Sequence, residues 1–122
     1  LSLLRLQTGA ETFNVLLLRI AGNWPATALR PSAHANSLFD KLELFSYPSP
    51  YSALRFTLHG VDAPAARKLS DSPCRGLLPA DLGLLLEGGV MLIDFSSWPF
   101  DQIEMGRMIA LGRQLGGAVP AL

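Results

Sequence analysis

A chain of 122 residues is long enough to bury one hydrophobic core, and 49% apolar against 16% charged residues excludes a disordered polymer. Ten basic and ten acidic side chains leave no net charge, and Arg67–Lys68 is the one adjacent basic pair, which argues against a phosphate-neutralising nucleic-acid surface. No uncharged apolar run approaches the ~20 residues of a membrane-spanning helix.

The chain is expected to form a single globular domain over residues 1–122. Its charged fraction falls below the roughly 25% of an average domain, and its mean hydropathy is +0.30. So little polar material leaves apolar surface to be covered by a protein partner, a second copy of the chain or a ligand. The first residue is Leu1, which marks a processed chain or an excised piece, and Leu1–Leu6 with Arg5 inside it lacks the pattern of a signal peptide. The single cysteine, Cys74, precludes an internal disulfide and favours a reducing, cytoplasmic compartment.

In chain order, Leu3–Gln7 and Thr12–Ile20 are strand-length apolar runs, and the glycine in Thr8-Gly9-Ala10-Glu11 suits a hairpin turn between them. Val15-Leu16-Leu17-Leu18 is continuously apolar, the composition of a strand covered on both faces. Gly22-Asn23-Trp24-Pro25 predicts the end of that strand. A short helix is expected from Pro31-Ser32 through Asp40, then Leu42–Phe45 and a proline-stiffened loop from Ser46 to Ser52. Leu54, Phe56 and Leu58 alternate with Arg55, Thr57 and His59, which predicts a strand with one buried and one wet face.

A helix is expected over Val61–Lys68 around Pro64, then a loop over Ser70–Cys74. Pro79 and Gly88-Gly89 suit the start and end of a helix over Ala80–Glu87. Val90–Phe95 reads as a buried strand. The last helix is expected with Pro99 in its first turn, Gly116-Gly117 as its stop, and one face made of Met105, Met108, Ile109, Gly112 and Leu115. Gly112 on that face allows close approach to whatever the helix covers. Together these elements predict an α/β or α+β sandwich, with a mixed sheet packed by about three helices.

The candidate ligand site lies beyond Val90–Phe95. Asp94, Ser96 and Ser97, with the free amides of the following helix, have the chemistry to hold an anion or small molecule. The same residue types also serve as helix caps and turn formers, and that role is the commoner one. Val90–Gly117 resembles the strand-loop-helix of STAS domains, the fold of anti-sigma factor antagonists, in which an apolar strand ending in Asp and a small polar residue leads to a helix closed by glycines. The family's loop carries Asp-Ser-Ser-Gly with a phosphorylatable serine. Phe100-Asp101-Gln102-Ile103 stands there instead, so no regulated serine carries over.

Tyr47 and Tyr51 among prolines, and Trp24 and Trp98 each before a proline, are the interface candidates, since Tyr and Trp concentrate binding energy. The alternative for each is a plug at the end of a small core. Cys74 beside Arg75 has the sequence context of an activated thiol, and His59 with Asp62 that of an oriented base, but buried thiols are commonly inert and i, i+3 residues across a glycine commonly decorate a turn. Two histidines and one cysteine do not make up a zinc ligand set, and no nucleotide-binding or nucleophile-elbow motif is present. No cofactor and no catalytic residue are therefore assigned. The expectation is a non-catalytic interaction or assembly domain, with a small enzyme or ligand-binding domain as the alternative.

Overall fold

In a computed structural model the residues described are 1–32, 38–39 and 56–122. Tyr47, Tyr51, His34, the Leu42–Phe45 run and the start of the alternating strand lie outside them. The described elements are β1 (Ser2–Thr8), β2 (Glu11–Pro31), β3 (Phe56–Gly60), α1 (Ala63–Ser70), α2 (Cys74–Leu77), β4 (Gly83–Asp94) and α3 (Gln102–Ala118). The class is α+β, and the elements just named make a four-stranded sheet with three helices. All the described pairings are antiparallel, so among these residues the sheet is not mixed.

The opening hairpin forms as predicted, with Thr8 opposite Glu11 and Gly9 at φ 61° in the turn. The predicted break at Gly22–Pro25 does not end β2. The strand runs on to Pro31, so Pro31 closes a strand, while Leu38 and Phe39 of the short helix expected after it are helical. Register shifts between Arg19 and Trp24, and again between Trp24 and Thr27, absorb the irregular residues as bulges. Gly22 takes φ 87°, and the amide of Asn23 bonds the carbonyl of Leu122 at 2.9 Å, so residues that follow α3 occupy this corner.

Residues 80–87 are the larger correction. The chain turns through Pro79–Leu82 and then enters β4, and Gly88-Gly89 lie inside that strand, with Gly88 at φ 60°. Leu82, Leu84 and Leu86 are buried at alternate positions. Strand periodicity, supported by a partner in β2, overrides the helix-boundary signals here.

β2 is shared by every other strand. On one side it pairs β1 with its first half and β3 with its second; on the other it pairs β4 along both halves. One sheet face carries Leu16, Leu18, Leu29, Leu58, Leu84, Met91 and Ile93 into the main core beneath the helices. The opposite face carries Phe13, Val15 and Ala28, packed with Leu38, Phe39, Leu85 and Leu92. His59, opposite Ala28 on that second face, is only 7% exposed, so the predicted wet side of β3 is covered here.

α1 is capped by Asp62, whose Oδ2 accepts from the Ala65 amide at 3.0 Å, and it buries Ala65, Ala66 and Leu69. Asp101 caps α3 in the same way, accepting from the Glu104 amide at 2.9 Å, so Pro99 precedes the helix and does not start it. Met108, Gly112 and Leu115 are buried along the predicted face. The helix passes through Gly116-Gly117 to Ala118, and Gly116 serves contact with the sheet, not termination. A Cβ on Gly112 would collide with Leu16 Cδ2, and one on Gly116 would stand 2.7 Å from Leu18 Cδ1. Small residues bring the helix axis down onto the sheet.

This close approach separates two otherwise identical substitutions in α3. Gly106→Ala meets no atom within 4 Å and should raise stability by about 0.5–1 kcal/mol through helix propensity. Gly112→Ala must displace the buried Leu16 and should lower stability by about 1–3 kcal/mol. Urea denaturation reads both, and midpoints moving in the same direction would refute the tight packing.

Candidate functional site

The end of β4 brings two of the predicted polar residues, Asp94 and Ser96, together and turns them on one another. Asp94 is 4% exposed. Its Oδ1 accepts from the Ser96 amide at 3.0 Å and from the Ser96 hydroxyl. Ser96 Oγ in turn accepts from the Asn14 amide at 3.1 Å, while the Phe95 amide donates to the Asn14 carbonyl at 2.7 Å. Arg5 Nε donates to Asn14 Oδ1 at 3.1 Å, and its guanidinium lies 4.5 Å from the centre of the Phe100 ring. This chain of bonds pins the β4–α3 connection to the β1–β2 hairpin.

Ser97 belongs to a different group. Its hydroxyl donates to Asp81 Oδ2 at 2.8 Å, and the same oxygen accepts from Trp98 Nε1 at 3.1 Å. Trp98 also packs edge-on against Phe95, with ring centres 5.1 Å apart, and takes the Arg107 guanidinium over its face at 5.2 Å. Arg107 is paired with Glu104 at 2.8 Å. Trp98 therefore stands half-buried beside an open depression of about 520 Å³, lined by Pro79, Arg107 and the outer side of α3. Neither serine caps α3.

Trp24 lies inside the protomer, 2% exposed, with Nε1 donating to the Pro120 carbonyl at 3.1 Å. It plugs the bulged corner of β2. Cys74 is fully buried at the start of α2 and donates to the Leu115 carbonyl at 3.3 Å; burial raises the pKa of its thiol despite a bond from Ser72, which lowers it. Asp62 acts as a helix cap, its Oδ2 accepting from the Ala65 amide. Among the described residues no three His, Cys, Asp or Glu side chains gather as a metal site, and no helix is long and apolar enough to cross a membrane.

The surface that sequence reasoning missed is the sheet face away from the helices. Leu4, Leu6 and Val90 are exposed on it, Val90 at 43%, and Leu17 and Leu92 are half-buried. Leu17, Leu85, Glu87, Val90 and Leu92 line a shallow depression of about 240 Å³. The Val15–Leu18 run did carry a signal, since four consecutive apolar residues must place two on each side of a strand. What it could not show is that α1, α2 and α3 cover the same side.

No protein-family model, curated protein or solved structure matches this chain.

The bonding at the β4 terminus predicts a stability role for Asp94. Asp94→Ala strands the donors of Ser96 and should lower unfolding free energy by about 1–3 kcal/mol, whereas Asp94→Asn, which keeps an acceptor oxygen, should lose less. Equal stability of all three proteins in urea would refute this.

Cys74 should react with a thiol reagent only as fast as the chain opens, and at once in denaturant. Its raised pKa makes the protonated form the native one, so stability should be unaffected at neutral pH and should fall as pH rises past about 8.5, where the unfolded thiol ionises first. Rapid labelling of folded protein at neutral pH would contradict this burial.

Proposed function

We propose that this chain is a non-catalytic protein-interaction or assembly domain, acting as an oligomer or as a subunit of a larger complex in the cytoplasm. The observation that supports it is the apolar sheet face opposite the helices, where Leu4, Leu6 and Val90 are exposed on the same side as the half-buried Leu17 and Leu92. Monomeric domains seldom leave contiguous apolar patches of that kind uncovered. The low charged fraction and zero net charge support the same reading and give no footing for nucleic acid.

The alternative is an enzyme or an anion- or small-molecule-binding domain working from the end of β4. That reading needs Asp94, Ser96 and Ser97 to face a ligand. Each of them instead bonds the protein's own groups, and Asp94 is buried.

Light scattering on the purified chain tests the proposal. A solution mass that rises above 13.1 kDa with concentration, and returns to 13.1 kDa when Val90 is replaced by lysine with the circular dichroism unchanged, is the expected result. A monodisperse monomer at every concentration, with no protein retained on the immobilised chain, would overturn it.

A further inference from the structure

The apolar face has a charge arrangement that selects its occupant. Beside the depression lined by Leu17, Leu85, Glu87, Val90 and Leu92 lies a second, of about 210 Å³, lined by Leu1, Ser2, Leu17, Leu18, Arg19 and Val90. Leu17 and Val90 belong to both and form the ridge between them. Each hollow is smaller than the roughly 300 Å³ at which small-molecule sites begin, and suits an inserted side chain better than a ligand. The two carry opposite charges at their margins, Glu87 on one and Arg19 on the other. Both residues are exposed, and among the described residues neither side chain forms an ion pair or hydrogen bond.

We infer that a second copy of this chain docks on this face about a two-fold axis passing over Leu17 and Val90, with Arg19 of each copy meeting the partner's Glu87. A two-fold exchanges the hollows, so each acidic margin comes to lie over a basic one and the single complementarity is used twice. The ridge residues of one copy then sit at the centre of an apolar patch rimmed by two ion pairs, the usual anatomy of a protein interface. A lipid surface or a strongly charged macromolecule fits less well, because each would match one margin and oppose the other. A patch with equal and opposite charges across an apolar centre is complementary to itself. This inference rests on the interaction reading above and names the partner.

Sedimentation velocity over a concentration series provides the test, on the wild-type chain, Arg19→Glu, Glu87→Arg, the double variant, and an equimolar mixture of the two single variants. The wild type should dimerise. Each single variant places like charges opposite one another at both ends of the interface and should weaken dimerisation about tenfold or more. The double variant should regain it. The mixture should regain it too, because the carboxylate introduced by Arg19→Glu in one chain then meets the guanidinium introduced by Glu87→Arg in the other, while the second contact keeps the original pair. A misfolded variant would not recover on mixing, so recovery excludes a folding defect. Dimerisation of the wild type that the single variants leave unchanged, or a mixture that stays monomeric, would overturn this inference and leave the interaction reading standing. A wild-type chain that is monomeric throughout but retains a different protein would also overturn it, and a monomer that retains none would remove both.

Discussion

Every strand in the described fold depends on hydrogen bonds to β2. A backbone strand has donors and acceptors on two edges, and a buried edge left unpaired would cost free energy at each group. β2 solves this with length. Its 21 residues give β1 and β3 successive halves of one edge, and give β4 both halves of the other. The bulges around Trp24 are a consequence, since a strand this long has to bend to keep a compact core on one side. Trp24 fills the bend from within, held by its bond to Pro120.

Helices α1, α2 and α3 then cover one face. α3 comes down on glycines, α1 on alanines, and α2 tucks Cys74 beneath Leu115. The helix-side core takes large aliphatic side chains from β2, β3 and β4. The other face is closed around Phe39 and Ala28 and left apolar near Leu17 and Val90. That asymmetry gives physical content to the shortage of charge in the composition. Part of the apolar excess stands exposed on one side of one sheet, at Leu4, Leu6 and Val90.

The polar residues beyond β4 show why chemistry-bearing residue types do not make a site by themselves. Asp94 and Ser96 secure the corner that joins β4 to α3, and Ser97 with Trp98 holds Asp81 on the preceding turn. The bonds they make run to the backbone and to one another. A strand-to-helix junction that packs beside a hairpin uses such bonds whatever the function.

What the amino-acid sequence determined by itself was local. It marked the hairpin at Gly9, the helix around Pro64, the strand before Asp94 and the buried stripe of α3, because each rests on turn chemistry or periodicity within a few residues. The tertiary structure decided the rest. Gly22–Pro25 resembled a strand end, and Pro79 with Gly88-Gly89 resembled helix boundaries, until pairing between β2 and β4 gave those residues long-range partners. Which face of Val15–Leu18 would be covered depended on where α3 landed, far later in the chain. Hydrogen-bond partners and covering helices far apart in sequence are set by packing, and no local pattern records them.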